Sequence, residues 1–157
     1  MLKNVGEITI DGYASGETDF PTRLSESPGE VQNEFNLTVI SPLLAVLASS
    51  DQTAVLIIQG HSDRVDTPGL SREACRLQEL QASADRAKSA DDGVFKIIAS
   101  KVPDPQSFPA DWADVSQVVV STKVTGAALL VNSDTSLTEQ QRKQNRRVIF
   151  TLATFLP

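Results

Sequence analysis

The chain has 157 residues, of which 40% are hydrophobic and 22% are charged, and this composition is typical of a globular protein rather than a disordered one. Its length suits one domain, so we expect residues 1–157 to form a single domain. The formal net charge is −6, and no basic residues cluster, which argues against nucleic acid and anionic membranes as partners. Cys75 and His61 are the only residues of their types, which excludes an intramolecular disulfide and multi-histidine metal sites, and no cofactor is expected.

The charge is distributed unevenly along the chain. Residues 1–60 contain two basic and eight acidic residues, whereas residues 61–157 contain twelve of each. No apolar run approaches the ~20 residues of a membrane helix, so direct membrane insertion is not expected. The first residues lack a basic leader followed by an apolar segment, so no secretory signal is visible. Either the protein is not exported by that route or its signal has been removed.

The first half of the chain alternates between strand and helix patterns. Residues 7–13, with Ile8 and Ile10 between polar residues, predict a half-buried strand. Residues 14–34 are rich in Ser, Gly, Glu, Pro and Thr, which predicts a long acidic surface loop. Apolar residues at helical spacing then predict a helix from about Glu34 to Leu47, with Pro42 at a kink or in the first turn. Residues 53–59 are apolar and β-branched, which predicts a strand buried on both faces.

Helical patterns dominate the middle of the chain and strands its end. Residues 70–89 and 87–98 carry helical patterns, although Gly93 weakens their continuity, and prolines mark a connector at 103–109. Residues 117–124 predict a strand that 127–131 extends or continues. A polar helix at 136–145, capped by Thr138 or Ser136, and a strand at 147–155 complete the chain. This order predicts an α/β fold, in which helices pack on one or both faces of a small sheet.

Three short clusters contain residues suited to ligand binding. Gly60-His61-Ser62-Asp63 follows the most apolar strand, at the end where α/β sheets bind ligands, and a carboxylate there can receive an ammonium group. Residues 83–87 carry Arg86, whose guanidinium can bind a carboxylate through two hydrogen bonds. Residues 144–150 carry Asn145, Arg146 and Arg147, and the two arginines would point to opposite sides of a strand. Simpler interpretations are a turn cap at Asp63, a surface ion pair at Arg86 and a solvated basic pair.

In this order, the clusters resemble motifs of the OmpA-like C-terminal domain family, which binds peptidoglycan and includes the peptidoglycan-associated lipoprotein and flagellar stator domains. Residues 58–63 match I-x-G-H-[TS]-D, residues 82–87 match L-S-x-x-R-A with Ala in the first position, and residues 145–149 match N-R-R-V before an apolar strand. The resemblance spans about Glu34 to the end, or begins at Glu7 if the first strand is included. It implies a β-α-β-α-β-(α)-β sandwich with a small mixed sheet.

The resemblance also implies a non-catalytic module that binds the diaminopimelate end of a peptidoglycan peptide stem. Asp63 and Arg86 would bind the free amino and carboxylate groups, a combination that suits a zwitterionic ligand. The groove that holds this ligand would be bordered by further residues of the motifs: His61, Ser62, Asn145, Arg146 and Arg147. If an export signal was removed, such a role belongs to the cell envelope, at the outer membrane or in the periplasm; without one, the sequence does not assign a compartment. Relatives that dimerise make a homodimer or a larger assembly a further expectation.

The sequence departs from the family pattern between the first two motifs. Asp66 replaces a usual Gly, Glu79 stands where Asn is usual, and the spacing from Asp63 to Arg86 is longer. We therefore interpret residues 64–80 as an inserted segment that bulges as a loop or lengthens the helix. A shifted register starting at Leu70 lacks arginine at the required position, which leaves Arg72 and Arg76 as reserve candidates.

Two other functions stay open. The first is a structural module of a larger envelope or phage-like apparatus that has lost wall binding, whose acidic first third would face a basic partner. The second is a hydrolase that uses His61 with Asp63 or Asp66. The sequence disfavours the hydrolase, because no nucleophile elbow, metal set or second histidine accompanies His61. We therefore expect no catalytic residues.

Overall fold

Four strands form one mixed sheet in the computed structural model, which describes all 157 residues. The strands are β1 (Leu2–Ile10), β2 (Thr53–Gly60), β3 (Val118–Val124) and β4 (Val148–Phe155), and their spatial order is β1-β4-β2-β3. β2 pairs in parallel with β3, whereas β4 pairs antiparallel with both β1 and β2. Because β2 and β4 run in opposite directions, the end of β2 lies beside the start of β4, with Gly60 paired to Val148.

Helices connect these strands and cover the sheet. α1 (Phe20–Glu26) and α2 (Gly29–Phe35) follow β1, and a π-helical turn (Asn36–Ile40) leads into α3 (Ser41–Leu47). α4 (Arg72–Lys101) lies between β2 and β3, and α5 (Glu139–Asn145) lies between β3 and β4. This order confirms the predicted α/β fold, a small mixed sheet packed by helices.

The core lies between the helices and one face of the sheet. Phe20 of α1, Phe35 of α2 and Phe150 of β4 pack together with ring centroids 5.1 to 5.5 Å apart, and such aromatic pairs are worth roughly 0.5–1.5 kcal/mol beyond their buried area. On β2, Val55 and Ile57 face away from the core and are only partly buried. The prediction that this strand is buried on both faces is therefore wrong, because helices cover a single face.

Residues 14–34 do not form the continuous surface loop that their composition predicted. The Asp19 carboxylate caps α1 by accepting a hydrogen bond from the Thr22 amide, and Pro21 lies in the first turn, where proline is tolerated. α1 and α2 have seven residues each, which is too short for a helical period to be recognised in the sequence. Burial of Phe20 and Phe35 stabilises them instead.

The two helical patterns between residues 70 and 98 form one helix of 30 residues, α4. Gly93 does not interrupt it, because its bare backbone packs against Phe20: an added Cβ would lie 2.7 Å from a ring carbon of that side chain. Residues 64–80, which the sequence comparison interprets as an insertion, are partly loop and partly helix. Residues 64–71 are irregular, and residues 72–80 form the first turns of α4.

The remaining differences are small shifts of element ends. β1 covers 2–10 rather than 7–13, and residues 127–131 lie outside the strands. α3 ends at Leu47 as predicted, with Pro42 in its first turn. Thr138 caps α5 as predicted, in a reciprocal capping box with Gln141. None of the helices has both the length and the apolar composition that crossing a membrane requires.

Candidate functional site

The three motifs meet at the edge of the sheet where β2 ends and β4 begins. Gly60 lies directly against α4, and an added Cβ would be 1.9 Å from the Ser83 carbonyl oxygen. The His61 amide donates a hydrogen bond of 2.9 Å to the Arg147 carbonyl. The end of β2 therefore contacts the second motif on one side and the third motif on the other.

Asp63 is the negative centre of the site and is 4% exposed. Its Oδ2 accepts a 2.7 Å hydrogen bond from Arg142 Nη1, and its Oδ1 accepts a 2.8 Å hydrogen bond from Asn145 Nδ2. Arg146 Nη2 lies 3.8 Å from Oδ2. Asn145 also donates to the Asn132 carbonyl. The carboxylate is thus satisfied within the chain, in surroundings that strengthen charged hydrogen bonds.

Arg86 is the positive centre and is 2% exposed. Its Nε donates to the Glu17 carbonyl and its Nη1 to the His61 carbonyl, both at 3.0 Å. The guanidinium carbon lies 5.2 Å from the centroid of the Tyr13 ring. Burial lowers the pKa of Arg86 to about 10, which leaves it charged at neutral pH. Residues 13–17 therefore cover the guanidinium.

His61 and Ser62 fix the turn between these two charges. His61 Nδ1 lies 2.9 Å from the Thr125 hydroxyl, and burial, helped by nearby Arg147, lowers the pKa of His61 to about 4. The Ser62 hydroxyl donates to the Asp63 carbonyl, and its amide donates to the Gly126 carbonyl. Since the Asp63 carboxylate bonds to Arg142 and Asn145, His61 and Asp63 do not form the dyad that a hydrolase would need.

Arg146 and Arg147 serve different parts of the site. Arg146 Nη1 donates to Glu139 at 2.7 Å and to the Tyr13 carbonyl at 3.4 Å, on the side of Asp63. Arg147 donates to the Asn145 carbonyl at 3.2 Å and to the Leu129 carbonyl at 2.9 Å. Arg146 thus contributes charge near Asp63, whereas Arg147 holds the segment after β3.

Sequence reasoning missed two partners of the site, Arg142 and Tyr13. Arg142 precedes Asn145 by three residues on α5, and residues three apart share a helix face, so the helix pattern could have indicated it. Tyr13 gave no signal, because its contact with Arg86 joins distant parts of the chain.

The reserve candidates Arg72 and Arg76 do not approach Asp63. They line a groove of about 930 Å³ between residues 64–67, the first turns of α4 and residues 125–128. No group of three or more His, Cys, Asp or Glu residues in the chain is arranged to hold a metal ion.

Three of the solved structures with detectable similarity have low identity to this chain. The cell wall anchor of the T6SS from Pseudomonas aeruginosa is 18% identical, covering 100% of this chain and 87% of its own, with a TM-score of 0.42. The periplasmic domain of Helicobacter pylori MotB is 14% identical, covering 97% and 86%, with a TM-score of 0.43. A MotB-like protein from Desulfovibrio vulgaris is 19% identical, covering 94% and 75%, with a TM-score of 0.37. No protein-family profile and no curated protein matches the chain.

Proposed function

We propose that this chain is a non-catalytic peptidoglycan-binding module that binds the diaminopimelate end of a peptide stem. One observation carries the proposal: Asp63 and Arg86, two buried side chains of opposite charge, flank the same turn at the end of a central strand. The three sequence motifs that resemble wall-binding domains are the motifs that meet there.

The chemistry of this pair suits the free end of a diamino acid. An ammonium group can pair with the Asp63 carboxylate, and a carboxylate can accept two parallel hydrogen bonds from the Arg86 guanidinium. Asn145 and Arg146 border the same position. His61 is neutral at pH 7 and adds no competing charge. A ligand that lacks either charge could not replace the internal partner of that buried group, so it would lose one of the two charged contacts, which provides selectivity.

The cost of burying these groups supports a ligand-binding role. Buried at this edge are His61, Ser62, Asp63, Ser83, Arg86, Asn145, Arg146 and Arg147. Ion pairs in such surroundings add little net stability, because desolvation offsets the attraction between the charges. Ligand binding therefore accounts for the cluster better than folding stability does.

Ligand binding on this proposal requires two internal partners to be displaced. Arg142 would release the Asp63 carboxylate, and Glu17 would give up its hydrogen bond with Arg86. The Arg142 side chain is 29% exposed, so it can swing into solvent without unfolding α5. Residues 14–19 lie outside helix and strand, so they can also move at limited cost.

Sedimentation with purified peptidoglycan tests this function. We expect the wild-type chain to co-sediment, free diaminopimelate to compete, and Asp63→Asn and Arg86→Gln to lower the bound fraction about tenfold or more. Asp92→Asn, which removes an exposed carboxylate of α4, is the matched control. Thermal unfolding establishes that each variant is folded. Competition by free diaminopimelate uses the wild-type chain alone, so it tests the proposal even if a variant fails to fold. A folded wild-type chain that stays in the supernatant would overturn the proposal.

A second candidate is a structural module of an envelope or phage-like assembly that has lost wall binding. The specific observation in its favour is that Asp63 and Arg86 are both satisfied within the chain. The acidic first third of the chain would then meet a basic partner. Failure of the folded wild-type chain to co-sediment would favour this candidate.

The proposed ligand also determines where the chain would work. Peptidoglycan belongs to the cell envelope, so the domain would act in the periplasm or at the inner side of the outer membrane. A homodimer or larger assembly is compatible with this setting, and sedimentation velocity of the purified chain would measure it.

A further inference from the structure

A groove with both polar and apolar lining lies beside the proposed site, and none of its lining residues belongs to that site. Its volume is about 930 Å³, and its walls are residues 64–67, the first turns of α4 and residues 125–128. Much of the first two walls belongs to the inserted segment 64–80.

Three arginines in this groove differ from every other arginine of the chain. Arg64, Arg72 and Arg76 line the groove, are exposed and make no hydrogen bond or ion pair. The other arginines each donate at least one hydrogen bond within the chain. Arg72 and Arg76 are four residues apart on α4, so they occupy the same face of the helix. Asp66 and Glu79 also line the groove, so the three unpaired guanidinium groups leave an excess of positive charge, which favours the binding of carboxylates.

Internal hydrogen bonds hold the walls of the groove in place. The Glu79 carboxylate accepts a 2.9 Å hydrogen bond from the Val65 amide and ties the loop to α4. The Gly126 amide donates a 2.9 Å hydrogen bond to the Ser83 hydroxyl. Leu80 packs against Gly126, since a Cβ added to this glycine would lie 3.3 Å from a methyl carbon of Leu80. The groove is thus formed before any ligand arrives, which lowers the entropic cost of binding.

The walls of the groove adjoin the residues of the proposed diaminopimelate site. Arg64 follows Asp63 in the chain, and Thr125 bonds to His61. Gly126 bonds to both Ser62 and Ser83. The groove and the proposed site therefore lie on neighbouring sides of the same turn, so one extended ligand could contact both.

We propose that this groove is a second subsite for an acidic peptide, the part of the same wall stem that precedes its diaminopimelate. In that stem a D-glutamate is linked through its side-chain carboxyl, so its α-carboxylate is free to pair with Arg64, Arg72 or Arg76. The proposal rests on the proposed function and assigns the inserted segment a role in recognising the glutamate.

Calorimetric titration with three soluble probes tests this subsite. The probes are free meso-diaminopimelate, the tripeptide L-Ala-γ-D-Glu-meso-diaminopimelate, and the same tripeptide with its glutamate α-carboxylate amidated. The variant is Arg64→Gln/Arg72→Gln/Arg76→Gln. The control is Lys96→Gln/Lys101→Gln/Lys123→Gln, which removes the same charge from exposed positions outside the groove.

We expect the arginine variant to lose about tenfold in affinity for the tripeptide and none for free diaminopimelate. Amidation should weaken binding to the wild-type chain by a similar factor and have no effect on the variant. The lysine control should behave as wild type. Diaminopimelate binding together with an unchanged tripeptide affinity in the arginine variant would overturn the subsite and leave the proposed function intact. Absence of wild-type binding to all three probes would overturn both.

Discussion

His61 is held as a neutral imidazole by its position beneath the turn. The residue is 1% exposed, and the Arg147 guanidinium lies close enough to oppose a second positive charge. Both effects disfavour the imidazolium, and the pKa of His61 falls to about 4. The imidazole is therefore neutral at pH 7 and adds no charge between Asp63 and Arg86.

This depressed pKa predicts a loss of stability in mild acid. An imidazole in the unfolded chain titrates near 6.5, so the unfolded state takes up the proton first. The contribution of neutral His61 to the free energy of unfolding is therefore complete above about pH 6.5. It is lost progressively as the pH falls to about 4, by up to roughly 3 kcal/mol. Urea unfolding should show that the free energy of unfolding falls more between pH 7 and pH 4.5 in the wild-type chain than in His61→Asn. Carboxylates titrate in both proteins, so the difference between the two reports the histidine.

The single histidine makes a direct control possible. The imidazole C2 proton gives one NMR titration curve, which reports the folded-state pKa of His61 without assignment among several rings. A folded-state pKa near 6.5 would contradict the prediction, whatever the unfolding curves show.

The contact between β2 and α4 brings the site together at the level of elements. Gly60 ends β2, and the Ser83 turn of α4 lies so close that no side chain fits between them. Three residues further along the same helix, Arg86 reaches the His61 carbonyl. The separation of the strand and the helix therefore sets the distance between Arg86 and Asp63.

Adding a methyl group at this contact should be strongly destabilising. We expect Gly60→Ala to lower the free energy of unfolding by roughly 3 kcal/mol, because the Cβ would overlap backbone that cannot move aside cheaply. Gly29→Ala is the control, because an added Cβ at the start of α2 meets nothing within 4 Å. Its effect should stay within about 1 kcal/mol. Denaturant unfolding of both variants measures the difference, and equal effects would show that the contact is looser than described.

The elements were predictable where a period or a cap marks them. β2, β4 and α5 follow from their apolar patterns and the Thr138 cap, because each signal is local. α1 and α2 were missed, since short helices rich in polar residues depend on packing of Phe20 and Phe35 against Phe150. The continuity of α4 through Gly93 was also hidden, because the reason for that glycine is a ring from α1.

At the scale of the whole molecule, the site is closed by residues far apart in the sequence. The bond from Arg86 to Glu17 joins residues 69 positions apart, and that from Arg142 to Asp63 joins residues 79 apart. The order of the motifs indicated that Asp63 and Arg86 lie near the same turn but did not indicate the partners of either side chain, because long-range contacts leave no local pattern. The closed state has a thermodynamic consequence, since apparent affinity falls with the fraction of molecules whose site is open.

On the proposed function, removing an internal partner of Asp63 should therefore strengthen ligand binding. Arg142→Gln removes the 2.7 Å ion pair with Asp63 and leaves the hydrogen bond from Asn145 in place. We expect diaminopimelate to bind about tenfold more tightly to this variant by calorimetric titration, because the ligand ammonium no longer competes with the hydrogen-bonded Arg142 guanidinium and only Arg146, 3.8 Å away, still lies near Asp63 Oδ2. The same change should lower the free energy of unfolding by roughly 1–3 kcal/mol, since a buried carboxylate loses a charged partner.

Lys143→Gln is the matched control for this experiment. It removes one positive charge from the adjacent position of α5, and Lys143 makes no ion pair with Asp63. An unselective effect of charge would change ligand affinity equally in both variants, whereas release of Asp63 predicts a gain for Arg142→Gln alone. Weaker binding by Arg142→Gln would mean that Arg142 contacts the ligand instead of competing with it. The closed arrangement would then be part of the binding site itself, and Arg142 would join Arg86 as a partner for the ligand carboxylate.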